Sequence, residues 1–333
     1  MNNLHIFQVG TILPVLNKIK NEGVNIDYLL SKSHLIDYDL TIRDKYIPVK
    51  LMYLLYEEIY NREGITDFLS FFNNEIHLSE LSDIGQMIGS MPDLLSVLQI
   101  GCKYNHLLVS NEQTFFTING DKSCFKIRIN EHLTLGHKLA IMISMLILVN
   151  GIQVITGKDW IPLEIHYQFE KSLREDPFID FGKNIDVKYN QYSSGVIFKT
   201  SELNKKIADN PDIINNPNIE IPPFFDNNFL STKIESLLDS FRHGKLPTID
   251  YFSEMTNMST RNFIRKLGDE DTSYFNILDN WRFKKAIQLI KNPVMKIKDL
   301  SSMLGYANSS NFDRAFLRWT GVPPLNYKQS VLV

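Results

Sequence analysis

Only two cysteines, Cys102 and Cys124, occur in 333 residues. Two thiols cannot build a disulfide framework for a chain of this size, and neither sits in the CxxC pair that a zinc site or a redox dithiol uses. A reducing, cytoplasmic setting is therefore expected. Residues Met1 to Gly10 contain no basic stretch followed by an apolar segment and a small-residue cleavage site, so nothing there marks the chain for export. The longest predominantly apolar run, Leu139 to Val149, has 11 residues, against the roughly 20 that span a bilayer, and no membrane segment is expected. Neither GxGxxG, GxxxxGK[ST] nor GxSxG occurs, so dinucleotide, P-loop and nucleophile-elbow chemistry lack their backbone devices. Eight histidines are present, but no HExxH. The nearest pair, His132 and His137, would point to different faces of a helix, so neither a metal nor a cofactor is expected. Gly136-His137-Lys138-Leu139 resembles a fragment of an ATPase motif without the other boxes. Glu75 with Glu80 and Asp176 with Asp180 are read as solvated charges, and no catalytic constellation emerges.

What is present is the composition of a folded protein: 44% hydrophobic and 22% charged residues exclude a mainly disordered or collagen-like chain. At roughly 100 to 200 residues per domain the length predicts about two domains. Residues 208–228, with four prolines and repeated Asn and Asp, favour turns and block helix, so they are read as the linker between domains 1–207 and 229–333. Charge divides there too. From Ser231 onward 15 Lys and Arg face 10 Asp and Glu, a balance of +5, which leaves −8 for everything before Ser231 because the whole chain is at −3. A basic module on an acidic carrier points to a polyanionic partner, although many solvated surfaces reach +5 by chance.

The first domain reads as α+β. Val49–Tyr60 and Pro92–Leu108 have apolar residues at helical spacing, with Pro92 suited to a first helical turn. Gln113–Asn119 and Cys124–Asn130 flank Asn119-Gly120-Asp121 as a β-hairpin whose second arm alternates Phe125, Ile127 and Ile129 with Lys126 and Arg128. Leu139–Ile155 is apolar nearly all round, which suits a central buried helix or an interface between two chains. Alternation over Leu163–Phe169 and Ser194–Lys199 predicts further strands, followed by a helix at Glu202–Ala208. Phe115, Phe125, Met142 and Met145 could line a pocket for an amphipathic effector but are read as core.

The second domain is all-α. Thr248 onward predicts a short helix, a turn at Thr256-Asn257-Met258, and a helix capped by Ser259, with Phe263 and Leu267 inward and Arg261, Ile264 and Arg265 outward. A second pair follows: Ile297–Gly305, ended by a glycine suited to the left-handed cap, and Asn308–Trp319, with Phe312, Phe316 and Trp319 inward. Tyr274–Ile290 forms one long helix between the pairs. A single such pair would read as an ordinary helical hairpin with exposed arginines; the second copy argues against that.

Taken together, Ile297, Leu300, Leu304-Gly305-Tyr306, Ser310-Asn311-Phe312, Arg314-Ala315-Phe316, Thr320-Gly321, Pro323-Pro324 and Tyr327 resemble the C-terminal signature of the AraC/XylS family of transcription regulators. The resemblance implies two helix-turn-helix units joined by a long helix, with base-reading positions at Thr260, Arg261, Ile264 and Arg265 in the first and Ser309, Ser310, Asn311 and Arg314 in the second. Ser253 and Ser301 stand where that family usually has alanine, and Thr256-Asn257 where Leu-Gly is usual. Ile47-Pro48-Val49, Leu81–Gly85, Ser90–Leu94 and Val187–Phe198 resemble the arabinose-binding-type N-terminal domain of ornithine-regulator-like members, which implies effector sensing and dimerisation. The resulting expectation is a homodimeric activator that binds double-stranded promoter DNA, engages RNA polymerase and responds to a small-molecule effector. The alternatives are a ligand-independent dimeric regulator controlled by a protein partner, and an enzyme fused to a DNA-binding tail. The latter is disfavoured because two isolated cysteines cannot supply the cysteine-rich metal site of the alkylation-repair relatives.

Overall fold

A computed structural model describes residues 3–62, 69, 85, 87, 91–171, 178, 185–206, 229–242 and 244–332. The stretch read as a linker, 208–228, lies outside the described residues, as do Leu81–Ile84 and the carboxylates Glu75, Glu80, Asp176 and Asp180. The chain divides into two compact units. One comprises His5–Ile36 and Leu40–Phe225, and the other Met1–Leu4, Asp37–Asp39 and Asp226–Val333.

The first unit is α+β. Strands β1 (Ile6–Gln8) and β2 (Tyr46–Pro48) pair antiparallel and bracket helices α1 (Leu13–Asn21) and α2 (Ile26–Lys32). None of these four elements is foreseen from the periodicity. Helix α3 covers Val49–Tyr60, the range the spacing predicts, and buries Leu51, Met52, Leu55 and Ile59. Helix α4 (Leu94–Leu108) begins two residues after Pro92. Its cap is Asp93, whose carboxylate accepts from Ser96 N at 2.8 Å, and that bond holds the Asp93 carboxyl below its ordinary pKa. Strands β3 (Gln113–Asn119) and β4 (Lys122–Arg128) form the expected hairpin, closed by Gly120-Asp121 with Gly120 at φ +60°.

Helix α5, Leu135–Thr156, has 22 residues and is about 33 Å long. By length and apolarity it could cross a membrane, which the run to Val149 alone understates because the helix continues through Asn150, Gly151 and Gln153 to Thr156. It lies instead in the middle of the unit, with Leu139, Met145, Leu146 and Val149 fully buried. Each such side chain contributes roughly 1.5–3 kcal/mol. The tetrapeptide at its start has a packing reason. A Cβ on Gly136 would lie 2.6 Å from the Tyr53 carbonyl oxygen of α3, so only glycine permits the approach. His137 Nδ1 accepts from Thr134 N at 3.2 Å, Glu57 Oε1 accepts from Gly136 N at 2.7 Å, and the His137 ring lies against Tyr53.

The sheet runs β3-β4-β7-β5-β6, with β5 at Glu164–His166, β6 at Asp186–Lys188 and β7 at Ser194–Lys199. β5 is shorter than the Leu163–Phe169 alternation predicts, although Ile165, Tyr167 and Phe169 are all buried. β6 pairs with β5 in parallel, a departure from an all-hairpin sheet that so short a strand could not announce. In place of a helix from Glu202, a 3₁₀ turn spans Thr200–Asn204. Phe125, Met142 and Met145 are core, but Phe115 pairs opposite Lys126 and is 47% exposed. These four residues therefore do not line one pocket.

Glu112 is buried in the connection between α4 and β3, accepting from Asn105 Nδ2 at 3.1 Å and Ser144 Oγ at 3.5 Å. Burial pushes its carboxyl from an ordinary 4.5 up to about 7 despite those donors. The folded state therefore binds this proton more tightly than the unfolded chain, and stability falls as pH rises from about 4.5 to about 7. Glu112→Gln is expected to flatten that part of the pH profile and to be the more stable form at pH 8. Urea denaturation across pH tests this, and an unaltered profile would contradict it.

Asp37–Asp39 belong to the second unit although they lie far upstream of its main segment. Asp39 N donates to Ser240 O at 2.7 Å and Arg242 N to Asp37 O at 2.8 Å, forming an antiparallel bridge between Tyr38 and Phe241. Tyr38 is 1% exposed, lies 4.3 Å ring to ring from Phe241, and shares a 2.5 Å hydrogen bond with the Tyr251 hydroxyl. Burial, reinforced by Tyr251, raises its phenol pKa. Tyr38→Ala should destabilise this unit by about 3 kcal/mol or more, and Tyr38→Phe by only about 1 kcal/mol. Faster amide hydrogen exchange over Ile249–Met255 in the alanine variant would show it; unchanged exchange would refute it.

Candidate nucleic-acid interface

The second unit is helical. α6 (Leu230–Leu238) is capped by the Glu270 carboxylate, which accepts from Leu230 N at 2.7 Å and Ser231 N at 2.9 Å. Two short-then-long helix pairs follow. The first is α7 (Ile249–Met255) with α8 (Thr260–Gly268). α9 (Tyr274–Leu289) then leads to the second pair, α10 (Ile297–Met303) with α11 (Ser309–Thr320), and α12 (Pro324–Val331) closes the chain.

The two turns share one hydrogen-bond scheme. In the first, Asn257 N donates to Glu254 O and Met258 N to Ser253 O; in the second, Gly305 N donates to Ser302 O and Tyr306 N to Ser301 O. Both pivots are left-handed, Asn257 at φ +52° and Gly305 at φ +73°. Asparagine enters that region more readily than other non-glycine residues, so the Asn257 turn survives without glycine. Ser253 and Ser301 are both buried, and Ser253 Oγ donates back to Ile249 O at 3.0 Å, so the serine at the alanine-like position of the first pair leaves no hydroxyl unsatisfied. Each longer helix has a side-chain cap: Ser259 Oγ accepts from Asn262 N at 3.3 Å, and Asn308 Oδ1 from Asn311 N at 2.9 Å. Such caps are worth about 1 kcal/mol each.

Packing fixes which face of each long helix stays bare. In α8, Phe263 and Leu267 are buried and Phe263 lies parallel to Phe252 of α7. Arg261, Ile264 and Arg265 are exposed, Ile264 at 53%. Thr260 is half-buried, its hydroxyl donating to Asp250 Oδ1 at 2.8 Å, so it also ties α8 to α7. In α11, Phe312 and Phe316 are fully buried. Trp319, placed on the inner stripe by its spacing, is only half-buried, its indole donating to Asp279 Oδ2 at 2.9 Å. Ser310 and Arg314 are exposed, Ser309 and Asn311 half-buried. Arg314 Nη2 donates to Asn311 Oδ1 at 2.6 Å, so the two side chains are paired on the surface of α11. Arg261, Arg265, Ser310 and Arg314 thus lie on the bare sides of α8 and α11, Ile264 and Asn311 at the margins, and Thr260 and Ser309, one turn before the aromatic anchors, nearer the packed side.

Sequence reasoning passed over Asp279 and Arg282, one turn apart on α9. Asp279 receives Arg318 Nη2 at 2.6 and 2.8 Å, and Arg282 donates to Leu304 O and Gly305 O at 3.0 and 3.3 Å while lying over the Tyr306 ring. Among the described residues no group of three His, Cys, Asp or Glu side chains could hold a metal ion.

A capped helix pair with a buried anchor and a bare, arginine-bearing face is the arrangement of a helix-turn-helix. Residues 252–330 match the family model described as a helix-turn-helix domain, and the C-terminal unit carries such a domain of the AraC type. The chain is 32% identical over 101 residues to the ornithine utilization regulator of Pseudomonas aeruginosa, covering 30% of each protein. It is 28% identical over 125 residues to the HTH-type transcriptional activator CfaD of Escherichia coli, covering 38% of this chain and 45% of that one. The matches thus span less than half the length of either relative. The solved structure of the transcriptional regulator CdpR from Pseudomonas aeruginosa aligns over 95% of this chain and 96% of its own, at 18% identity and a TM-score of 0.40.

Proposed function

We propose that this chain is a sequence-specific transcription regulator whose two helix pairs are both DNA-reading units. In this reading α8 and α11 enter successive major grooves of promoter DNA, about 34 Å apart on one face of the duplex. The observation that carries it is the repeated turn scheme, which presents both long helices with capped N-termini and uncovered polar faces. Arg261, Arg265 and Arg314 have the fork that pairs with guanine O6 and N7, Asn311 suits adenine, and Ile264 offers only apolar contact to a thymine methyl. Thr260, Ser309 and Ser310 complete the reading set. The balance of +5 in the C-terminal segment supports a polyanion partner, and the relatives named as regulators support transcription as the process.

In the same reading the α+β unit, residues 1–207, receives a small-molecule effector and forms a homodimer, residues 208–228 link it to the DNA-binding part at 229–333, and bound DNA is presented to RNA polymerase in the cytoplasm. Activation is the proposed output, in keeping with the name of the relative CfaD.

Arg261→Ala and Arg314→Ala should each weaken binding to a duplex selected from a random library by about 1–3 kcal/mol, with relaxed preference at one base position. Footprints identical to wild type in both variants would sink the base-reading assignment. Native mass spectrometry of the purified full chain should show a dimer carrying a stoichiometric small molecule that denaturation releases. A ligand-free species unchanged by metabolite extracts would refute effector control, and a monomer with and without DNA would refute dimerisation.

A further inference from the structure

A polar cleft of about 440 Å³ opens between α9 and α11, lined by Asp279, Arg282, Tyr306, Asn311, Arg314, Ala315 and Arg318. Three guanidiniums face one carboxylate, so the cleft carries an excess of two positive charges. Asp279 is already met by Arg318 Nη2 and by the Trp319 indole. Arg282 is held by the carbonyl oxygens of Leu304 and Gly305 and by the Tyr306 ring, 4.5 Å from its centroid. Arg318 uses one nitrogen on Asp279 and Arg314 one on Asn311. A guanidinium has five N–H donors in a rigid fork, so both arginines keep donors in reserve.

We infer that this cleft binds a DNA backbone phosphate, with Arg318 as the principal ligand and Asp279 and Arg282 as positioning residues. The inference rests on the reading of α11 as a DNA-reading helix and adds to it a site that carries no sequence information. Arg314 and Arg318 are four residues apart, hence about 6 Å apart along the same helix face. When Arg314 reaches a base edge, the strand bordering that groove passes the next turn of the helix, where Arg318 and the cleft lie. A singly charged phosphodiester offers the acceptor oxygens that a pre-oriented arginine fork matches. Because Arg282 and Asp279 are fixed before DNA arrives, little side-chain order is lost on binding. Such contacts set the register of a protein on the duplex, while base contacts select the sequence.

The two roles separate experimentally. The full chain is titrated with a duplex selected from a random library by the wild type, and with a duplex of unrelated sequence, over a range of potassium chloride concentrations. Arg318→Ala should weaken binding to both duplexes by the same factor and make the slope of log K against log [salt] shallower by about 0.9, the signature of one lost phosphate contact. Arg318→Lys keeps the charge and should keep the slope. Arg314→Ala should weaken the selected duplex far more than the unrelated one. Because Arg318 also pairs with Asp279, Arg318→Ala should lower the melting temperature somewhat, so the salt slopes are read well below the transition of each variant, where the domain is folded. A wild-type slope in Arg318→Ala, or a loss confined to the selected duplex, overturns the phosphate site and leaves base reading by α11 standing. A wild type that selects no duplex from the library overturns both.

Discussion

The second helix pair depends on the Asp279 carboxylate. One oxygen accepts from the Trp319 indole at 2.9 Å and both accept from Arg318 Nη2, so one acidic group on α9 holds two consecutive residues near the end of α11. Apolar packing alone would leave α11 free to slide or roll, because Phe312 and Phe316 bury area without direction. The charge-assisted bonds supply the direction. One turn further along α9, Arg282 performs the same service for the turn that precedes α11, through the carbonyls of Leu304 and Gly305. A single turn of α9 thus sets both the origin and the rotation of the helix whose bare face is offered outward.

How much of this is legible in the sequence depends on how local the determinant is. The helices at Val49–Tyr60 and Tyr274–Leu289, the β3–β4 hairpin and both capped pairs are visible because their signals lie close together in the chain: a helical apolar period, a Gly-Asp turn, a Ser or Asn before an amphipathic run. Arg261, Arg265, Ser310 and Arg314 face away from the core because Phe263 with Leu267, and Phe312 with Phe316, take the inner side at helical spacing. What stays hidden is non-local. Very short strands, such as β1, β2 and β6, carry no period of their own. Tyr38 gives no sign that its partners are Phe241 and Tyr251, at the far end of the chain. The Asp279 clamp joins α9 to the end of α11 across the whole second turn, a separation no spacing rule covers.

The N-terminal unit shows the same dependence on a few polar groups within an apolar frame. α5 has no polar face to orient it, so its position is fixed at its start, where Gly136 permits contact with the Tyr53 backbone and Glu57 and His137 satisfy free amides around the first turn. Glu131, beside this cap, is held strongly acidic by the imidazoles of His137 and His5, 3.7 and 3.1 Å away. Glu112, with only amide and hydroxyl donors about it, is pushed the opposite way by burial. Two glutamates in one unit thus take opposite protonation behaviour from their neighbours: one has imidazoles to face and the other does not.

Under the proposed reading the two pairs also differ in how firmly each grips DNA. α11 has the Asn311–Arg314 pair beside a cleft in which Arg318 is held to α9 and Arg282 to the turn. α8 has Arg261 and Arg265 on either side of the apolar Ile264, and its first turn is tied to α7 by the Thr260–Asp250 bond. Order present before binding is order that need not be imposed by the ligand. The second pair is therefore built to set register and the first to adapt to the sequence it meets. The Tyr38 clamp falls on the adaptable side: Tyr251, its hydrogen-bond partner, belongs to α7 of the first pair, while the second pair has its own anchor in Asp279.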